Sequence, residues 1–584
     1  MHRISSIDIQ NFRSCAEIKN LALGTFSPLV GYNNAGKSNI LSAIQWLLKR
    51  SVLQESDFHD PNCPCSVAAC IVGIDQRVLD ALGERHRPRI EPFVVDRCIR
   101  IRRIQPKGGG SISQVKLEIH NPSAPDGDDG WGNNPTGIDQ AIDALFPEPI
   151  VISAMEDAGR DVSKVDKNST IGKLIQQLMS ELTEAHGDQI QASIDALNKL
   201  LAAEGEDRAG LLKAFDEEAS NAVTGFFPGV RIKVDIPAPE IATLFKSGTV
   251  RVFESGRPGG DVVGQDIGSM GHGAQRAIQM ALIQRLAERA HAEDGKRKIL
   301  LVDEPELYMH PQAIARVRSS LRQLSERGYQ VIFTTHSPLM IGREALPNTT
   351  ILRKTSDGCT IALPNLDETA LRVLEEDAPA QLDELFSLDS ACEILFSDRV
   401  IICEGKTEQE LLPDLYEALH NAGLADHRLG LVAPGGASNI HKCLRVLDEM
   451  GIDAIAIADL DYLFNNAVNG KYIEKNDADL EFCKQHMPAV AQRIGGQINQ
   501  QTGLFQKNGA VSAEQCFREL AQTTAVEPHL ERMRAKLLAH RIWIWKAGAI
   551  ESHLGTTSKS YREWSRFRSR LQPTVSAPVP IPTL

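Results

Sequence analysis

The chain has 584 residues, room for roughly three or four domains at about 100–200 residues each. It is 42% hydrophobic and 24% charged, as a globular protein is, and its formal net charge of −13 argues against coating nucleic acid through bulk charge. No apolar run reaches the ~18 residues of a membrane span, the opening Met1-His2-Arg3-Ile4 lacks a signal-peptide core, and scattered cysteines fit reduced thiols, so a cytoplasmic protein without membrane contact is expected.

In chain order, residues 4–12 and 26–31 read as strands, and 37–49 as a helix with Ile40, Leu41, Ile44, Leu47 and Leu48 on one face. Strands are expected at 67–74, 98–104 and 113–119, then a Gly-, Asp-, Asn- and Pro-rich loop at 124–137. Cys63, Cys65 and Cys70 have no fourth partner at zinc spacing. Apolar residues recur at helical spacing over 171–223, and strands are expected again at 231–236 and 249–254. A helix over 274–291, a strand over 298–302, a helix over 312–327 and a strand over 330–335 follow. Residues 367–390 carry eight acidic residues against Arg372 alone and read as a solvated connector. A second α/β unit runs from Arg399 to about Gly555, and a proline-rich tail begins at Leu571.

Gly31-Tyr32-Asn33-Asn34-Ala35-Gly36-Lys37-Ser38 fits a phosphate-binding loop between a strand and a helix. Its backbone amides and the helix N-terminus face phosphate, Lys37 neutralises the β- and γ-phosphates, and Ser38 ligates Mg²⁺. The apolar strand ending in Asp303-Glu304 supplies a second Mg²⁺ carboxylate in Asp303, and in Glu304 a group to polarise the attacking water. Ser269-Met270-Gly271-His272-Gly273-Ala274-Gln275 offers small residues and amides for a γ-phosphate, with Ser269, Gly271 and Gly273 as its contacts. His336, beyond a strand, can sense that phosphate.

In the second unit, Glu404 ends an apolar strand and Glu408 lies in the first turn of the next helix. Asp459 and Asp461 end another strand, two apart, so extended geometry points both to one side. Converging carboxylates without basic partners call for divalent cations. A third strand at 541–545 leads to Lys546, a candidate to stabilise charge on a transferring phosphate or a surface residue, and then to Glu551. The stretch 559–570 holds five basic residues and Glu563, interleaved with Tyr561, Trp564 and Phe567, and reads either as packing or as a DNA contact.

The first four segments, with Asn11-Phe12-Arg13-Ser14 and Glu304-Pro305-Glu306-Leu307-Tyr308-Met309-His310-Pro311, resemble the ABC-type ATPase head of the RecF and SMC group. The signature departs from that group's commoner Leu-Ser-Gly-Gly-Gln. The Glu…Asp-x-Asp layout resembles a Toprim domain, and the two together resemble the OLD (overcoming lysogenization defect) family of nucleases, which includes the Gabija defence nuclease. The resemblance implies an α/β chain in six parts: a split head at 1–165 and 227–355, a helical dimerisation insert at 166–226, a connector at 356–395, a Toprim domain at 396–556 and a basic, proline-rich tail at 557–584. It also implies ATP with one Mg²⁺, two Mg²⁺ or Mn²⁺ ions at the Toprim site, DNA as substrate, a homodimer or larger assembly, and a separate helicase-like or other defence partner. One metal falls to Glu404, Asp459 and Asp461, and a second to Glu408 and Glu551. A topoisomerase would need a tyrosine on a DNA-binding module, and a RecF-type clamp would leave the carboxylates idle; a regulatory ATPase with an inactive Toprim domain is the alternative.

Overall fold

The computed structural model describes residues 2–125, 129–132, 134–146, 149–153, 170–240, 251–253, 264–289, 298–373, 388–506, 511–555 and 559–571. They fall into two compact units. One draws on Met1–Arg3, Val72–Ile99 and Pro135–Phe333, the other on Ile4–Ile71, Arg100–Asn134 and Thr334–Leu584. The phosphate-binding loop thus shares a unit with the carboxylate strands, while Asp303, Glu304 and the signature segment belong to the other.

In the first unit, Lys298–Val302 pairs in parallel with Ile150–Ile152 on one side and with the strand beginning at Tyr329 on the other. Ile299, Leu300, Leu301 and Val302 are all fully buried, as a strand covered on both faces requires, which is why they form a continuous apolar run. Helices His272–Arg289 and Pro311–Glu326 follow the expected positions within two residues at either end. The insert forms Thr170–Leu201 and Gly210–Thr224. Arg208 joins them, donating to Asp216 at 2.8 Å and to the carbonyls of Leu201, Ala202 and Val234.

The strand expected at 231–236 is not one. There the Ile232 amide donates to Ser220 Oγ and the Val234 amide to Asp216 Oδ1, so side chains of the preceding helix take the groups that a neighbouring strand would need. Of the strand expected at 249–254, Arg251–Val252 pairs antiparallel with Gln265–Asp266, and 249, 250 and 254 lie outside the described residues.

The second unit holds a five-stranded sheet in the order Cys15–Ala22, Arg3–Phe12, Cys65–Val72, Cys98–Gln105, Lys116–Ile119. A strand at Phe26–Val30 leads into the loop and pairs in parallel with Thr350–Lys354, which pairs with Thr360–Ala362. The carboxylate sheet is wholly parallel, in the order Leu429–Val432, Arg399–Cys403, Asp453–Ala458, Ile542–Ile544. Val30 and Ile351 share one apolar core with Val400, Ile402, Ala456 and Ile544. Leu366–Val373 is part of it too, through buried Leu366 and Ala370, so this stretch of the acidic connector is packed rather than solvated; 374–387 lie outside the described residues. Among the described residues no helix is long and apolar enough to cross a membrane.

Candidate active site

The phosphate-binding loop is built as its sequence demands. Gly36 caps helix Lys37–Leu48 at φ 96°, left-handed backbone, and a Cβ there would run into the side chain of Thr360. Lys37 is 4% exposed, and its Nζ lies 3.1 Å from Gly31 O, 3.2 Å from Tyr32 O and 2.6 Å from His336 Nε2. Asn33 and Ser38 are exposed at the mouth of the loop. Lys37, Gly31 and His336 therefore meet as expected. Gly36→Ala should weaken ATP binding at least about ten-fold and cost about 1–3 kcal/mol of stability through backbone strain alone. Fluorescent-nucleotide titration and thermal denaturation check this; unchanged affinity would count against the loop.

In the other unit, Asp303 and Glu304 follow the buried strand, and the Asp303 amide donates to Ile152 O at 2.8 Å. Ser269 and Gly271 are exposed, and Gly273 lies in the first turn of helix His272–Arg289.

The carboxylates sit at the carboxyl ends of adjacent parallel strands, where open α/β sheets leave a crevice. Glu404 follows Cys403, and its Oε2 accepts the Asp459 amide at 3.1 Å. Asp459 and Asp461 both line a cavity of about 300 Å³ with Glu404, Ser512, Ala513, Glu514, Phe517, Gly548, Ala549 and Lys559. They do so by a route other than the extended one expected: Asp459 caps a 3₁₀ helix, Leu460–Phe464, that brings Asp461 round. Glu408 and Glu551 are 4% and 3% exposed. Burial, then the charge of Asp461, pushes the Glu404 carboxyl up to about 7; burial does the same to Glu408, helped by Glu551. Asp459 is raised well above the usual range by burial and by Glu404 and Glu408. Glu404, Asp459 and Asp461 thus meet at the cavity, while Glu408 and Glu551, both buried, do not line it.

Lys546 is not. Its exposed side chain lies 3.7 Å from Glu531, and it does not line the cavity. The chain turns at the strand end: Trp545 is buried, the Ala547 amide donates to His553 Nε2, and Gly548 O accepts from Leu460, so Gly548 and Ala549 face the cavity instead. Lys559 is the cation there, 3.5 Å from Glu551 and 4.0 Å from Glu514. Burial lowers its pKa, but Glu551, Asp459, Glu514 and Glu408 together raise it further, so its charge is secure. Sequence reading missed Lys559, Glu514 and Ser512 as site residues. The only local signal was the basic stretch, and its helix, Tyr561–Arg568, packs: Trp564 is 4% exposed and Arg568 pairs with Asp414 at 2.6 Å and Glu410 at 3.0 Å.

The donor set suits hard divalent cations, being all oxygen. Asp459 Oδ1 is buried without a hydrogen-bond donor, which is costly for a carboxylate unless a cation takes its place, and the Glu551 oxygens, also donorless, have the Lys559 ammonium 3.5 Å away. Among the described residues no three His, Cys, Asp or Glu side chains already stand at ion-holding distance, as mutual repulsion between the acids leads one to expect.

Comparison with known proteins separates an ATPase region from the carboxylate-bearing one. A family model described as an AAA ATPase domain matches residues 3–87 and 140–341, and one described as the Overcoming lysogenization defect protein-like TOPRIM domain matches 395–461. The chain is 37% identical to the Old nuclease of Escherichia phage P2 over 570 residues, covering 96% of this chain and 94% of the relative. It is 22% identical to the OLD nuclease of Thermus scotoductus over 485 residues, 78% of this chain and 82% of that one. The Smc head domain of Pyrococcus furiosus overlaps 64% of this chain and 99% of its own at 15% identity, with a TM-score of 0.35, too loose a likeness to bear on the site. An ATPase domain followed by a carboxylate-bearing Toprim domain, matched end to end by a nuclease, makes this chain a member of the OLD nuclease family.

Proposed function

We propose that the protein is an ATP-binding, metal-dependent DNA endonuclease whose ATPase head regulates cutting at the Toprim carboxylates, and that it serves in anti-phage defence or DNA repair. One observation carries the reading: Glu404, Asp459 and Asp461 line a cavity that also admits Lys559, with a buried, donorless oxygen on Asp459. Glu404, Asp459 and Asp461 would hold one Mg²⁺ or Mn²⁺, and Glu408 and Glu551 a second; Glu514, at the cavity wall, is a further candidate ligand. Bound cations would activate water and offset charge on the phosphate. Lys559 supplies a fixed positive charge where negative charge builds, and the cavity walls hold the phosphodiester against the strand ends.

At the other site, Lys37, Ser38, Gly31, Asn33 and Gly36 would hold ATP and one Mg²⁺; Asp303, in the other unit, is a candidate Mg²⁺ ligand. Ser269, Gly271 and Gly273 would complete the site of a second copy, so the protein works as a homodimer or larger assembly, with DNA and a separate helicase-like protein as partners. The shared core of the second unit supports regulation. Tyr32, in the phosphate loop, has the guanidinium of Arg428 4.9 Å and that of Arg353 5.6 Å from its ring centre. Arg353 donates to Ser397 O at 2.5 Å and Arg428 pairs with Asp398 at 3.2 Å, at the start of the strand that ends in Glu404.

Incubating supercoiled plasmid with the protein and Mg²⁺ or Mn²⁺ should give open circles, and EDTA should prevent them; no cutting with either metal would remove the nuclease reading.

The raised carboxyls give a signed pH effect. Their folded pKa of about 7 exceeds the ordinary glutamate value of about 4.5, so the folded state binds more protons between those limits. Stability of the metal-free protein is therefore greatest below about 4.5 as far as these groups go, and is lost as pH rises to about 7. Added Mg²⁺ should reverse the loss, and Glu404→Gln should flatten it. Thermal denaturation in EDTA between pH 5 and 8 reads both; a midpoint that rises with pH, or the same slope in the variant, would contradict the assignment.

A further inference from the structure

Glu304 has φ 46°, left-handed backbone that costs a residue with a Cβ, and Pro305 behind it disfavours the right-handed alternative. The buried guanidinium of Arg276 grips that turn. Its Nη2 donates to Asp303 O at 2.8 Å and to Glu304 O at 3.4 Å. Its Nη1 donates to Ser153 O at 3.2 Å, just beyond the neighbouring strand, and to Gln279 Oε1 at 2.9 Å. Arg276 and Gln279 are 4% and 2% exposed, so these bonds form away from competing water.

Arg276 is also the residue directly after the signature segment, in the first turns of helix His272–Arg289. The same segment touches the turn a second time: a Cβ on Gly273 would stand 2.6 Å from Tyr308 O, and Tyr308 is itself left-handed at φ 64°. The turn that carries Glu304 and the segment that carries Gly271 and Gly273 are therefore fastened to each other within one unit.

We propose that Arg276 is a positioning residue for ATP hydrolysis: it holds the Glu304 backbone in its left-handed turn and makes the aim of that carboxylate depend on the signature helix. The proposal rests on the reading of Glu304 as the group that polarises the attacking water. A carboxylate misplaced by about 1 Å costs about 10²-fold in rate. A lysine, with one compact ammonium in place of the planar fork, spans fewer of the four acceptors.

The test is a double-mutant cycle on ATP turnover with wild type, Arg276→Met, Glu304→Gln and the double variant, with folding followed by circular dichroism. Arg276→Met should lower kcat about 10²-fold with KM within about three-fold, because binding is spared and only the transition state is affected. In the Glu304→Gln background the same change should do nothing further, and Arg276→Lys should fall between wild type and Arg276→Met. Equal losses in both backgrounds, or a raised KM at unchanged kcat, would overturn the proposal. Glu304→Gln turning over at the wild-type rate would instead remove the reading of Glu304 on which it rests. If Arg276→Met does not fold, Arg276→Lys carries the same cycle, judged by the same non-additivity.

Discussion

Glu404→Ala and Asp459→Ala should each abolish DNA cleavage, a loss of at least about 10³-fold, while ATP turnover continues. The Glu404 side chain is joined to the Asp459 backbone, its Oε2 accepting that amide, and both residues line the cavity, so either change removes an acid from the same group of oxygens. Because burial holds both acids up, an alanine removes a repulsive charge as well as a ligand. The metal-free variants should therefore be at least as stable as wild type, with catalysis lost and folding kept. The proposed ATP site uses other residues, Lys37 and His336 among them, which meet each other at 2.6 Å. Single-turnover cleavage of a labelled duplex and phosphate release from ATP measure the two activities in one preparation. Parallel loss of both would mean that the substitutions act through the fold.

The second large effect separates two lysines. Lys559→Met should lower cleavage about 10²-fold, the scale of losing one preorganised charge, and Lys546→Met should leave it within about two-fold. Lys559 lies 3.5 Å from Glu551 in the cavity wall, whereas Lys546 is exposed beside Glu531. Removing Lys559 also removes the one cation that lines the cavity among the described residues, so the acids are left more negative and the variant should need less Mg²⁺ for half-maximal cutting even as its maximal rate falls. Cleavage rates over a Mg²⁺ series distinguish the two lysines; a defect confined to Lys546→Met would reverse the assignment.

The contrast between these lysines shows what could be read before the fold was known. The loop at Gly31–Ser38 and the acids after Cys403 and Ala458 were legible because each site is local: a strand ends, a loop turns, and the reactive residue stands at the junction. Glu404, Asp459 and Asp461 were legible that way even though the 3₁₀ turn after Asp459 was not foreseen, whereas Glu551 rested on the likeness to nuclease Toprim domains. Lys559, Glu514 and Ser512 come from outside the strand ends and reach the cavity only through tertiary packing, which leaves no periodic mark. Lys546 was chosen for standing next to a strand end, but Trp545 is the buried neighbour and the turn at Ala547 sends the lysine outward. The strand expected at 231–236 failed for a related reason, since polar side chains at Asp216 and Ser220 claim its amides.

The most direct measurement is Mn²⁺ titrated into metal-free protein with supercoiled plasmid, comparing wild type with the Glu404→Ala, Asp459→Ala double variant. Open circles should accumulate with Mn²⁺ in the wild type and stay at background in the double variant at every concentration. Nicking by the folded double variant at the wild-type rate would show that the cutting chemistry lies outside the Toprim carboxylates.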